Sequence, residues 1–157
     1  MRIEPLAPAH ERAGFRAGVP ALDKYFRGQA GRDTAKKLAA VFVLVLPEEK
    51  IGGFYTLSTA TVLLPDLLGG ATRKVSRYPA ISAAYLTRLA VDKRHRGKGH
   101  GRALLQDAMA RLRAANSDAL AVIAEAPAES ARAFYAHAGF RTFPDRYDQL
   151  FHPLRAA

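Results

Sequence analysis

The chain has 157 residues, 49% of them hydrophobic and 24% charged, values that suit a globular protein of about one domain and exclude a disordered tail or a fibrous repeat. It contains no cysteine, so disulfide scaffolds, thiol catalysis and cysteine-ligated zinc are excluded together. The longest apolar run, Leu38 to Leu46, covers nine residues, about half of what spans a bilayer, and Met1-Arg2-Ile3-Glu4-Pro5 carries no apolar signal core; a cytoplasmic domain is the expectation.

The net charge of +10 is concentrated. Residues 1–72 hold nine Lys/Arg against seven Asp/Glu, and residues 103–157 hold six of each. Residues 73–102 hold nine (Arg73, Lys74, Arg77, Arg88, Lys93, Arg94, Arg96, Lys98, Arg102) against Asp92 alone. A patch of this kind attracts polyanions through counterion release, whereas scattered charge mainly confers solubility. Charge alone leaves a solvated face equally open.

In chain order, Leu22, Tyr25 and Phe26 form an apolar stripe at helical spacing within Val19–Gln29, followed by Arg32, Lys36 and Lys37. Leu38 to Leu46 is short and β-branched and predicts a buried strand. Pro47 to Lys50 predicts a turn and Ile51 to Leu63 the returning strand. Pro65 to Pro79, with Gly69-Gly70 and three cations, predicts a loop or a short helical excursion. Ala84 to Val91 is a further strand, and Arg102 to Ala115 a helix with Leu104, Leu105, Ala108, Met109 and Leu112 on one side. Ala119 to Glu125 predicts a strand, and Ala128 to Ala138 a helix closed by Gly139 as its left-handed terminal residue. Strands at Phe140–Phe143 and Gln149–Leu154 finish the chain. The pattern is that of an α/β (α+β) domain with a mixed sheet, parsed as one unit over 1–157.

Arg96-x-x-Gly99-x-Gly101 falls between a predicted strand and a predicted helix. Glycines there let the backbone approach an anion without a Cβ in the way, and the first helical turn offers unpaired N–H groups at the positive end of its dipole. Two other phosphate loops are absent: there is no G-x-x-x-x-G-K-[ST], and Gly97-x-Gly99-x-Gly101 lacks the spaced third glycine of a dinucleotide fingerprint. The five histidines (His10, His95, His100, His137, His152) show no metal-ligand spacing.

The segment Leu89-Ala90-Val91-Asp92-x-x-x-Arg96-Gly97-Lys98-Gly99-His100-Gly101-Arg102-Ala103-Leu104-Leu105 resembles the acetyl-CoA motif of the GNAT N-acetyltransferases, and Ala131-Arg132-Ala133-Phe134-Tyr135-Ala136-His137-Ala138-Gly139-Phe140 resembles that superfamily's next segment. Phe15-Arg16-Ala17-Gly18-x-x-x-Leu22-Asp23-x-Tyr25-Phe26 with Gln29-Ala30 and Asp33 is similar to the opening of GNAT toxins from type II toxin–antitoxin pairs. So are Gly53 to Ser58, Arg77-Tyr78-Pro79 and the terminal Leu150-Phe151. The chain departs from that pattern at Ala17, Ser82 and Thr87.

This resemblance implies the GNAT fold, with a mixed, mostly antiparallel central sheet flanked by helices. It implies acetyl-CoA as co-substrate without a metal, and Leu89, Ala90, Val91, Arg96, Gly97, Lys98, Gly99, His100, Gly101, Arg102, Ser130 and Phe134 as its contacts. It also implies aminoacyl-tRNA as the acceptor, a DNA-binding antitoxin of ribbon-helix-helix type as partner, and a homodimer.

By periodicity alone Tyr135 is a core residue beside Phe134; the resemblance makes it the general acid. A phenol with pKa near 10 stays protonated at neutral pH and can return a proton to a departing thiolate. The base is left open between Glu125, Asp92 and none, since an α-amine titrates at about 7.7–8.0 and is partly neutral already. Lys36, Lys37, Arg73, Lys74, Arg77 and Arg88 are assigned by charge to the tRNA backbone. Two alternatives stay open at this point: an acetyltransferase of a small amine or protein N-terminus, and a nucleic-acid-binding module without catalysis.

Overall fold

The computed structural model describes residues 1–63, 80–115, 119–144 and 146–154. Strands β1 (Arg2–Pro5), β2 (Ala40–Leu46), β3 (Lys50–Leu63), β4 (Ala80–Val91), β5 (Ala121–Glu125), β6 (Arg141–Phe143) and β7 (Arg146–Pro153) follow the order β1-β2-β3-β4-β5-β7-β6. Of the pairings described, β4–β5 is parallel and the others antiparallel. Helices α1 (Pro20–Lys24), α2 (Ala30–Ala35), α3 (His100–Ala114) and α4 (Glu129–His137) complete the mixed architecture expected. Among the described residues no helix is long and apolar enough to cross a membrane. Two compact units partition the chain and are taken in turn: Met1–Ser58 with Arg88–Arg111, and Thr59–Thr87 with Leu112–Ala157.

The first unit is built on alternation. Val41, Val43 and Val45 of β2 point into one core with Leu6, Phe15, Phe26, Ile51, Phe54 and Ala90. Its centre is aromatic: Phe26 stacks on Phe54 at 4.3 Å, and Phe15 meets both edge-on at 4.8 and 5.5 Å. Each such side chain contributes about 1.5–3 kcal/mol through burial. The β2–β3 register slips between Leu44 and Val45, which face Gly53 and Ile51, so Gly52 is the bulged residue. On α3, Leu104, Leu105, Ala108 and Met109 are buried as the stripe predicts; Leu112 is half-buried.

Several boundaries differ from expectation. The Val19–Gln29 helix is α1 running into a π-helical turn, Tyr25–Gln29, in which the Ala30 N–H donates to Tyr25 O, and then into α2. The next strand starts at Ala40 rather than Leu38, because α2 is closed by Lys37 in the left-handed region (φ 58) with Leu38 N–H donating to Asp33 O at 2.9 Å. β1 has no counterpart among the predicted elements. The predicted loop Pro65–Pro79 lies outside the described residues, and Arg73, Lys74 and Arg77 with it.

In the second unit, β4 and β5 pair over Ala83–Leu86 and Ala121–Ala124. Antiparallel β7 lies on the other side of β5, and β6 pairs with it in turn. Ala83, Ile123 and Phe143 form a buried cluster joined by Tyr85 and Phe151. β4 begins at Ala80 and β7 at Arg146, each several residues earlier than their apolar content suggests.

Candidate active site

Asp92 lies at the end of β4 and organises the loop beyond it. Its N–H donates to the carbonyl of the bulged Gly52 at 2.8 Å. Its fully buried carboxylate caps the 3-10 turn Lys93–His95. Oδ1 accepts from the Arg94 main-chain N–H and from Arg94 Nε, both at 2.9 Å, while Oδ2 accepts from Arg94 Nη2 at 2.8 Å and the Arg16 N–H at 3.1 Å. Burial pushes this carboxyl up, but the Arg94 side chain and the main-chain donors of Arg94 and Arg16 outweigh it and hold the group well below the usual carboxylate range. A carboxylate so occupied is a clamp, not a base.

Beyond the clamp the chain turns through Gly97 (φ 76) and Gly99 (φ 81), conformations that cost glycine little. A Cβ at either would meet nothing within 4 Å; the backbone angle requires glycine here, and the loop faces open space. The first bond of the α3 ladder is Ala103 N–H to Gly99 O at 3.0 Å. The N–H groups of Gly99, His100, Gly101 and Arg102 precede it, and none has an acceptor among the described residues. Unpaired donors at the positive end of a helix of 15 residues suit an anion.

Lys98 and Arg102 are exposed beside these donors and His100 is half-buried. Burial, then the neighbouring His95 and Lys98, lowers the His100 pKa, so its ring is neutral at physiological pH. Arg96, expected to add charge at the phosphate site, donates from its guanidinium to Ala17 O. Leu89, Ala90 and Val91 lie past the register shared with β5, which ends at Leu86 and Ala124. Ala90 points into the core, and by alternation Leu89 and Val91 point away from it.

In the second unit, Tyr135 is held by the end of α4. Gly139 adopts φ 99, its N–H donates to Ala136 O at 3.0 Å, and the Phe140 N–H donates to Tyr135 O at 3.0 Å. These are the two bonds of a Schellman cap, and the accompanying apolar contact is Phe140 against Tyr135 at 5.3 Å between ring centroids. The Tyr135 ring is buried, yet its hydroxyl has no partner among the described residues and is not among their fully enclosed polar atoms. Burial raises its pKa above that of a free phenol. Phe134 is half-buried and meets Tyr135 at 5.2 Å, and Ser130 is exposed in the first turn of α4. Glu125, at the end of β5, accepts from Gln149 Nε2 at 2.8 Å.

Of the residues assigned to RNA, Lys36 and Lys37 are exposed at the end of α2. Arg88 is half-buried with its guanidinium 3.5 Å from the centre of the Tyr25 ring, and the Tyr25 hydroxyl donates to Asp33 at 2.9 Å. Sequence reasoning missed the roles of Arg16, Asp23, Gly52 and Arg94, although Asp23 stands inside the quoted Leu22-Asp23-x-Tyr25-Phe26 pattern. Among the described residues no group of three or more His, Asp or Glu side chains could hold a metal ion.

The family model described as an acetyltransferase (GNAT) domain matches residues 37–142. A protein named tRNA-acetylating toxin from Mycobacterium tuberculosis is 33% identical over 141 residues, which is 88% of this chain and 83% of that protein. The structure of a tyrosine-to-phenylalanine variant of the toxin AtaT, bound to the C-terminus of the antitoxin AtaR and to acetyl-CoA, superposes with a TM-score of 0.82 at 25% identity, covering 98% of this chain and 92% of that one. AtaT complexed with acetyl-methionyl-tRNAfMet gives a TM-score of 0.83 at 25% identity, over 97% of this chain and 94% of the other.

Proposed function

The chain belongs to the GNAT acetyltransferase family, and from this we propose that it moves acetyl from acetyl-CoA to the α-amine of aminoacyl-tRNA as a single domain spanning 1–157. The product cannot be elongated, so the protein inhibits translation as the toxin of a toxin–antitoxin pair and works in the cytoplasm, where charged tRNA is. Its partner is a DNA-binding antitoxin of ribbon-helix-helix type, and it assembles as a homodimer. The observation that carries the reading is the row of unspent N–H groups from Gly99 to Arg102 at the head of α3. The toxins that this chain is similar to supply the acceptor.

A pyrophosphate suits that cradle of donors, with Lys98 and Arg102 adding charge from its rim. Leu89 and Val91 offer main-chain groups to the pantetheine arm as an added strand would. One C–N bond forms and one C–S bond breaks. The amine loses a proton, and Tyr135 returns one to the thiolate. Its raised pKa keeps the phenol protonated, and the same exclusion of water raises the basicity of a thiolate expelled beside it, which preserves the match. No carboxylate is assigned as base: Asp92 is occupied, and an α-amine near 7.7–8.0 supplies its own neutral fraction. Lys36, Lys37 and Arg88, with Arg73, Lys74 and Arg77, contact the tRNA backbone.

The test is transfer of radiolabelled acetyl to charged tRNA, with uncharged tRNA and free amino acids as controls. Label on charged tRNA alone, reduced by about 10²–10⁴ in Tyr135→Phe, is expected. Label on free amino acids in place of tRNA would refute the assignment of acceptor, and an unchanged rate in Tyr135→Phe would refute that of the acid.

A further inference from the structure

The cofactor loop is bolted to a segment some eighty residues upstream. Arg94 Nη2 donates to Gly14 O at 3.1 Å, the Lys93 N–H donates to Arg16 O at 2.8 Å, the Arg16 N–H donates to Asp92 Oδ2, and the Arg96 guanidinium donates to Ala17 O. Asp92, Lys93, Arg94 and Arg96 thus grip Gly14 to Ala17. Gly18 fits against the same Arg96, since a Cβ there would stand 3.1 Å from its Nη2.

What holds that segment from its other side is a second buried carboxylate. Asp23 is 6% exposed. Its Oδ1 accepts from the Ala17 N–H at 2.6 Å and its Oδ2 from the Gly18 N–H at 3.3 Å. Asp23 is itself fixed in α1, where its N–H donates to Val19 O at 3.0 Å and its carbonyl accepts from Arg27 Nε at 3.3 Å. Ala17 is therefore held at both ends, its N–H by Asp23 and its carbonyl by Arg96.

We propose that Asp23 is a positioning residue for acetyl-CoA binding: acting through Ala17 and Arg96, it sets where the N–H groups from Gly99 to Arg102 stand, although it touches neither the loop nor the cofactor. The inference rests on the reading of that loop as the acetyl-CoA cradle. A chelate of several N–H donors on one anion is sensitive to small displacements, and a misplacement of the order of 1 Å costs up to about 10²-fold.

The experiment measures CoA and acetyl-CoA affinity by calorimetry for the parent, Asp23→Asn, Asp23→Ala, Arg96→Ala and the Asp23→Ala/Arg96→Ala pair, with steady-state kinetics alongside. Asp23→Ala is expected to weaken acetyl-CoA affinity about tenfold, with kcat at saturating acetyl-CoA and the KM for charged tRNA within about twofold of the parent. Asp23→Asn, which keeps an oxygen for Ala17, is expected to recover part of the loss. The double variant is expected to lose much less than the product of the two single losses, because both break one path. Additive losses, or affinity unchanged in a folded Asp23→Ala, would overturn the proposal. If Asp23→Ala does not fold, Asp23→Asn carries the test in the same pairing with Arg96→Ala. A parent that binds no acetyl-CoA would overturn both this proposal and the cradle; a parent that binds it but leaves charged tRNA unlabelled would overturn the acceptor alone.

Discussion

The adjacent glycines of β3 separate two costs of adding a single methyl group. A Cβ on Gly53 would stand 2.7 Å from Ala90 O and 2.8 Å from Leu104 Cδ1, so either the β4 backbone or a buried leucine must move. A Cβ on Gly52 would stand 2.7 and 2.9 Å from Leu46 Cδ1 and Cγ and 3.0 Å from Leu44 Cδ2; half-buried Leu46 can rotate away. Neither glycine has a positive φ, so alanine gains the usual ~0.4–1 kcal/mol through the unfolded chain at both positions. Overpacking at Gly53 costs ~1–3 kcal/mol, a net loss of ~1–2 kcal/mol and a Tm lower by about 2–8 °C for a chain of this length. Gly52→Ala should stay within about 1 kcal/mol of the parent. Because Ala90 lies between Leu89 and Val91, Gly53→Ala should also raise the KM for acetyl-CoA. Thermal unfolding and initial rates measure both effects. Equal losses of Tm in the two variants, or an unchanged KM in Gly53→Ala, would refute the close approach of β3 and β4.

Charged residues in unusual settings give two further expected outcomes. Lys37 and Glu48 both hold left-handed φ, 58 and 67, a conformation that costs a non-glycine residue about 1 kcal/mol, most of which glycine gives back as ~0.4–1 kcal/mol of unfolded-chain entropy; Lys37→Gly and Glu48→Gly should each leave Tm within about 2 °C of the parent. Lys37→Gly alone should weaken acetylation of charged tRNA and flatten its salt dependence by about one phosphate contact, and equal activity in the two variants would remove Lys37 from the RNA face. The folded-state pKa of Asp92 is depressed, so its stabilisation is fully present above the unfolded value near 3.9 and is lost as pH falls through the lower folded value. Stability measured in denaturant from pH 6 down to pH 2.5 should therefore fall less steeply below about pH 4 in Asp92→Asn, by up to one proton's slope, ~1.4 kcal/mol per pH unit; parallel curves would contradict the clamp.

The elements legible in the sequence are those in which local pattern and tertiary setting agree. The β2 run, the α3 stripe, the Gly97 and Gly99 turn and the Gly139 cap each declare themselves through periodicity or through a backbone angle that only glycine meets cheaply. β1 carries a single apolar side chain among four residues and ends on proline, as an edge strand tolerates, so alternation has nothing to register. The early start of β7 is concealed similarly by Arg146, Tyr147 and Asp148, of which Tyr147 is 75% exposed. The π-helical turn inserts one residue between the Tyr25–Phe26 stripe and the next turn, which moves Ala30 into the core and brings Gln29 and Tyr25 onto Asp33 at 2.8 and 2.9 Å. No 3.6-residue template anticipates that shift. Asp23 and Asp92 are hidden for another reason. A lone aspartate reads as surface, and what makes burial of these charges tolerable, the main-chain N–H groups of Ala17 and Gly18 for Asp23 and Arg94 with the distant Arg16 N–H for Asp92, leaves no periodic pattern in the sequence.

Partners of this kind also divide the basic stretch that first pointed to an anionic ligand. Of its nine cations, three have partners within the first unit: Arg94 on Asp92, Arg96 on Ala17 O, and Arg88, whose side-chain N–H donors have no acceptor among the described residues and stay free for the proposed RNA contact, over the face of Tyr25. Lys93, Lys98 and Arg102 are exposed and make no ion pair among the described residues. They stand on or beside the loop proposed to hold acetyl-CoA, and on that reading the charge available there serves a compact phosphate group. Charge counted along the sequence cannot distinguish a guanidinium that builds the cradle from one that lines it, and that difference decides what each arginine substitution should do. Arg94 and Arg96 variants should disturb the geometry of the loop and respond weakly to salt. Lys98 and Arg102 variants should leave the loop in place and lower the salt dependence of cofactor binding.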